Sequence, residues 1–140
     1  MDFVEQKEIE NANIIIDHFG YWPTFHDSEV ISIKLERTLD KEHSSVQLRL
    51  YSFEMTSELI NGYYKLIKHC FIDFEFLELN KVELDGFNHQ NAVLALEFGR
   101  EEKNKFCNII NAYGVDGYVE ANQIRIKNLE PILEKNVVKG

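Results

Sequence analysis

His26, Asp27 and Glu29 are the residues whose types and spacing most invite chemistry. An imidazole and two carboxylates can ligate a metal ion, or move a proton as general acid and base. A metal site needs three or four ligands converging in space. The spacing here is neither HExxH nor any other established zinc pattern. His18, His43, His69 and His89 are scattered along the chain and add no motif. The plainer expectation is that Asp27 or Ser28 caps a local turn and that His26 bonds a buried backbone group. On that reading the chain carries no metal and no cofactor. A metal-dependent enzyme using His26, Asp27 and Glu29 stands as an alternative.

Other catalytic patterns are missing. No GxSxG elbow occurs, and no nucleophile motif surrounds Cys70 or Cys107. Neither cysteine sits in a CxxC arrangement, and both lie beside apolar residues, which predicts buried free thiols. No GxGxxG or GxxxxGK[ST] loop is present to cradle a phosphate. The chain is therefore expected not to be an enzyme. Tyr63 and Tyr64 lie near Lys65 and Lys68, a mixture that could stack on bases. Against that, 15 basic residues face 24 acidic ones, a net charge of −9. Such a chain is poorly suited to a phosphate backbone, so no direct nucleic-acid binding is expected. The same excess suits a basic protein partner. Asp73 and Glu75 share one strand parity within an apolar stretch, and their face is expected to be open to solvent or to a partner. Tyr63, Tyr51 and Trp22 are the aromatic anchors expected there.

The elements that must position these residues follow from periodicity. Ile9, Ala12, Ile16 and Phe19 recur at helical spacing, with Ile15 widening the stripe. They predict an amphipathic helix over 8–19, with acids near its start and His18 near its end. Gly20 and Pro23 stop it. The connector YWPTFHDS then leads into a sheet. Ile31, Ile33 and Leu35 alternate with polar residues and read as the buried face of a strand, followed by a polar loop at Asp40–Ser44. Val46, Leu48 and Leu50 form the next buried face. Asn61–Gly62 is a strong hairpin signal, because both residues tolerate positive φ. From Tyr63 to Leu77, the parity of Tyr64, Leu66, Cys70, Ile72, Phe74 and Phe76 is the expected core face, with Lys68 at a wet end or a bulge. Further short strands are expected at Lys81–Leu84, Ala92–Phe98, Phe106–Tyr113 and Tyr118–Lys127. The fold class is α+β: an N-terminal helix packed on a largely antiparallel, strongly twisted β-sheet of about seven strands. One domain spans 1–140, with a β-rich body over 29–130 and a frayed tail at 135–140. No run is long and apolar enough for a membrane helix, and the N-terminus lacks a signal-peptide pattern, so a cytoplasmic protein is expected.

Three phrases stand out together: FGYWPTFHDSEV (Phe19–Val30), EMTSELINGYYKLIKH (Glu54–His69) and ELDGFNHQNAVLAL (Glu83–Leu96). The combination resembles the bacterial immunity protein 50 family of polymorphic toxin systems. Its most specific part is WPxFHDxE, here Trp22, Pro23, Phe25, His26, Asp27 and Glu29. Next comes GFNxQN, here Gly86, Phe87, Asn88, Gln90 and Asn91. Ser28 stands where alanine is more usual. The resemblance implies an antidote without chemistry of its own, which neutralises a cognate toxin domain by stoichiometric occlusion. If that toxin is a nuclease, its basic groove would complement the −9 charge. The alternative within the binding class is a general structural or regulatory module. Trp22 and Phe25 are expected to lock the helix against the sheet. Phe87 is expected to plug the sheet edge, with Asn88 and Asn91 bonding loop backbone. Specificity is expected on Asp40–Ser44, Arg100–Lys105 and Val115–Gly117.

Overall fold

The computed structural model describes residues 2–3, 8–39 and 43–133. The centre of the Asp40–Ser44 loop and the tail expected to fray at 135–140 lie outside them. The elements are β1 (Asp2–Phe3), α1 (Ala12–Phe19), β2 (Glu29–Arg37), β3 (Ser44–Ile60), β4 (Tyr63–Asp85), β5 (Ala92–Glu101), β6 (Asn104–Tyr113) and β7 (Asp116–Pro131). Among the described residues the fold is mostly antiparallel sheet with one short helix. Six long strands take the place of about seven, because expected breaks are bulges within continuous strands. The segments around Ser52–Glu54 and Leu79–Lys81 shift register without ending the ladder. The two-residue β1 only flanks β5.

Strand order runs β1-β5-β2-β3-β4-β7-β6, and β5 also pairs with β6. The six long strands therefore close into a ring, which removes most free edges. The β2–β5 seam is short. It consists of the Glu29–Ala92 pair and three backbone bonds linking Asp27, Ser28 and Val30 to Asn91 and Val93. Inside the ring lie Val46, Leu48 and Leu50 of β3, Ile72, Phe74 and Phe76 of β4, and Ile124 and Ile126 of β7, all fully buried.

The helix is shorter than its periodicity predicts. Glu10 N–H donates to the Ile124 carbonyl at 3.0 Å, and Ile126 N–H donates to the Glu10 carbonyl at 2.9 Å. A residue committed to the edge of β7 cannot also enter a helix. Asn11 turns the chain at φ 65°, and α1 starts at Ala12. Glu8 and Glu10 thus fall outside the helix, whose first turn has no acid. Gly20 ends it in the left-handed region (φ 89°), its N–H donating to Ile16 at 2.7 Å. Ala12, Ile15 and Phe19 face the core.

Two bulges reset which side chains point inward. In β2, pairing with β3 jumps from Val30–Leu50 to Ser32–Arg49. Val30 is buried, whereas Ile31 and Leu35 are exposed and Ile33 is half-buried. The expected buried face of Ile31, Ile33 and Leu35 is thus largely wrong: the extra residue turns Ile31 outward, and the short β2–β5 seam leaves Leu35 uncovered. In β4, Lys68 sits at φ 57° where Ser52–Cys70 pairing passes to Glu54–Ile67. Above this bulge the even residues face the core. Below it the register puts Tyr64 and Leu66 on the outer face, and Tyr64 is exposed rather than a core residue.

Asn61 (φ 52°) and Gly62 (φ 84°) make the two-residue turn between β3 and β4. Pairing of β2 with β3 stops at Glu29–Tyr51, and pairing of β4 with β7 begins at Cys70–Pro131. Residues 53–68 therefore rise past the ring as a two-stranded arm.

Cys70 and Cys107 are free and buried. Burial pushes the Cys70 thiol up to about 12, and the Cys107 thiol higher still. Only the thiolate attacks a disulfide reagent. Neither thiol should react with Ellman's reagent at pH 8 in the folded protein, and both should react in denaturant. Rapid native labelling of either would contradict the burial.

Candidate functional site

The connector 21–28 is held by unusual backbone. Phe25 (φ 64°) and Asp27 (φ 67°) both occupy the left-handed region. Asp tolerates that region, whereas for a bulky residue such as Phe it costs about 1–2 kcal/mol. The ring of Phe25 is buried and meets Phe74 at 5.7 Å and Trp22 at 5.5 Å, both edge-on. Burying a phenyl side chain returns about 1.5–3 kcal/mol, enough to hold the strain. Trp22, half-buried, also meets Phe98 at 6.0 Å. These two aromatics pin the connector to the barrel core. Asp27 N–H donates to Val93 at 2.9 Å, and Val93 N–H donates to Ser28 at 2.8 Å. The hydroxyls of Ser28 and Ser52 share a buried bond of 2.8 Å.

This arrangement leaves His26 outside. Its side chain is 55 % exposed and lies 3.2 Å from the Asp27 carboxylate. The expected bond from His26 to a buried backbone group is absent; packing of Phe25 inward turns its neighbour out. Among the described residues no three His, Cys, Asp or Glu side chains are grouped as a metal would require. His26, Asp27 and Glu29 are brought together only as the exposed His26–Asp27 pair. An open cleft of about 260 Å³ separates residues 21–28 from Ser52–Met55 of β3.

At the mouth of that cleft, Tyr21 O–H donates to Glu54 at 2.7 Å, and Lys68 Nζ lies 3.4 Å from the same carboxylate. Lys68 Nζ also donates to the Phe19 carbonyl at 3.0 Å, tying the helix end to the arm. The Tyr21 bond, helped by Lys68, holds the Glu54 carboxyl below the usual range, while the Glu54 bond pushes Tyr21 up to about 12. The sign follows from both shifts. A lowered carboxyl gives stability that is complete above its ordinary value and is lost as pH falls through the folded value. A raised phenol gives stability that is complete below pH 10 and is lost as pH climbs towards 12. Tyr21→Phe should lower the urea midpoint at pH 7. Its deficit should shrink near pH 3 and again near pH 12. A pH-independent deficit would place the Tyr21 contribution elsewhere.

The second motif builds a clasp. Asn91 is 3 % exposed. Its Oδ1 accepts from Asn88 N–H and Val115 N–H, each at 3.0 Å. Its Nδ2 donates to the carbonyls of Asn88 (2.8 Å) and Val30 (3.4 Å). One side chain so joins the β4–β5 loop, the β6–β7 turn and the start of β2. Asn88 adds bonds to Gly86 and Gln90. Gly114 closes against this clasp: a Cβ there would fall 2.2 Å from the Gln90 carbonyl oxygen. Phe87 is 52 % exposed and does not plug the sheet edge; Val115, expected on a specificity loop, is the residue buried there.

The family model described as Immunity protein 50 matches residues 11–132, a span that contains connector, arm and clasp. The chain belongs to the Immunity protein 50 family. No curated protein and no solved structure matches it. In this member of the family, the acids expected on an open face are engaged instead. Asp73 bonds Arg49 at 3.0 Å, and Arg49 also reaches Glu130 at 2.7 Å. Glu75, 6 % exposed, faces its cross-strand neighbour Arg125 (Nε at 2.6 Å), with Lys127 at 4.0 Å. Strand parity placed both acids on the outer face, but the arginines opposite came from strands whose order is not written in the sequence. Tyr63 is 79 % exposed at the arm tip. Tyr51 lies edge to edge with the buried His69, the last residue of the Glu54–His69 phrase. His69 Nε2 lies 3.2 Å from the Leu66 carbonyl, so it carries the proton. Nδ1 then accepts from Tyr51 O–H at 2.6 Å. No described helix is long and apolar enough to cross a membrane.

Proposed function

We propose that this chain is an immunity protein that binds a cognate toxin domain and neutralises it by stoichiometric occlusion, with no chemistry of its own. The observation that carries this reading is the family match across residues 11–132. Among the described residues His26, Asp27 and Glu29 form no three-ligand group, which supports binding over metal chemistry. The partner is a basic domain, in keeping with a net charge of −9, and a nuclease groove is the form of it that this charge fits best.

The test is co-expression with the toxin domain encoded beside this chain's gene. Cells should survive, and the two proteins should co-purify one to one. Death of the cells despite folded antidote would refute the reading. The electrostatic part has its own measurement. Raising salt from 50 to 500 mM should slow association about tenfold or more, because steering between opposite charges is screened. A salt-independent association rate would remove charge from the mechanism while leaving occlusion intact.

A further inference from the structure

We propose that the outer face of the β3–β4 arm is the surface that receives the toxin, by seating an apolar strip of a net basic domain. This rests on the immunity reading above. Residues directly opposite in an antiparallel pair project to one face. The pairs Met55–Leu66 and Leu59–Tyr64 therefore set four apolar side chains side by side. Met55, Leu59 and Tyr64 are 51 %, 63 % and 53 % exposed. The patch continues onto the ring through Phe53, which lies 5.7 Å from Tyr51, and ends at Phe71 beneath the Arg49 guanidinium.

Met55, Leu59 and Tyr64 stay exposed here, although Phe53 and Met55 also border the cleft that faces residues 21–28. Contact with α1 is confined to the arm's root, through Lys68 and through His18, whose Nε2 bonds the Lys68 carbonyl at 2.8 Å. A two-stranded ribbon is marginal in water without a further layer. Its edges are poorly suited to adding a strand. On β3 the register slips between Met55 and Leu59. On β4 the Leu66 and Lys68 carbonyls are taken by His69 and His18. What remains for a partner is the apolar side-chain face.

Charge selects the occupant. Residues 53–68 hold two acids, Glu54 and Glu58, and two lysines, Lys65 and Lys68, so the arm is neutral. The whole −9 therefore lies on the rest of the chain. A second copy seated on the arm would bring −9 towards −9. A basic domain with an apolar strip gains contact at the arm and attraction from the body behind it.

The test measures binding of the toxin domain encoded beside this chain's gene to three forms of the protein. In one, Leu59→Thr and Tyr64→Thr strip the outer face. In another, Ile60→Thr and Tyr63→Thr strip the opposite face of the same arm. Met55→Lys is a single outer-face change that serves if the outer-face pair melts early. The outer-face variants should weaken binding about 100-fold or more, as loss of a clustered hot spot does. The opposite-face pair should stay within about threefold. Backbone amides of 63–68 should gain hydrogen-exchange protection in the complex. Wild-type-like binding by the outer-face variants would overturn the proposal, as would a wild-type dimer that these variants dissociate. Failure of the unmodified chain to bind or protect would instead overturn the immunity reading itself.

Discussion

Asn91→Leu should cost about 3–5 kcal/mol and lower the melting temperature by roughly 10–20 °C. The amide is buried and serves two N–H donors and two carbonyl acceptors in three different parts of the chain. Leucine serves none. The Val115 N–H is itself buried, so it would lose its acceptor with no water to replace it. Each such orphaned group costs about 1–3 kcal/mol. The packing leaves no slack for rearrangement, since Gly114 already abuts Gln90 and Asn91. Asn91→Asp separates the contributions. It keeps an oxygen for the two N–H donors but turns a buried carboxylate oxygen towards the Asn88 and Val30 carbonyls. At pH 7 it should therefore cost at least as much as leucine, and less once acid protonates it and restores one donor. Thermal and urea melts of the three proteins check both expectations. A leucine variant within about 1 kcal/mol of wild type would show that the clasp is not what holds these loops. The change should also loosen the β2–β5 seam, because Val30 N–H donates to the Asn91 carbonyl at 2.9 Å.

Arg125→Met should destabilise the fold by about 2–4 kcal/mol, and neutralising Glu75 in the same chain should restore part of the loss. Removing one member of a buried ion pair strands the other charge, which typically costs about 3–5 kcal/mol. Glu75 is that stranded member: its side chain is 8 % exposed, whereas that of Arg125 is 38 % exposed. Lys127, at 4.0 Å from the second oxygen, trims the penalty but cannot replace a direct bond. The asymmetry makes a second expectation. Glu75→Gln alone should cost less than Arg125→Met alone, since a freed Arg125 reaches water. The double variant should recover at least about 1 kcal/mol relative to Arg125→Met, within the usual coupling range for contacting pairs. Additive losses would mean the two side chains act independently despite their contact.

The contrast between these two sites shows what a sequence can carry. Asn91 was legible as a loop residue bonding backbone, because Asn does that wherever a polar loop meets a strand. Its reach to Val115 and Val30 was not, since those partners lie 24 and 61 residues away. The Asn61–Gly62 turn was legible because its signal is local. Asp73 and Glu75 were legible as sharing a face, yet not as neutralised, because the cations opposite depend on strand order. The parity of Tyr64 failed for a third reason. One left-handed residue, Lys68, adds a position to β4, and every side chain beyond it changes face. The helix start failed because two long-range backbone bonds claim Glu10. Connector and clasp were visible as motif phrases. The arm's outer face was not, because exposed apolar residues on a strand look the same as buried ones until the flanking strands are known to stop short.

Those bonds at Glu10 also set a clock. The segment before α1 completes its pairing only with Ile124 and Ile126, so that pairing waits for the last strand. Ribosomes add roughly 5–20 residues per second, which puts that meeting on the order of ten seconds after initiation. Until β7 clears the exit tunnel, β4 lacks one neighbour and the ring stays open. Assembled this way, the ring closes in one late step, once β7 has paired on both sides.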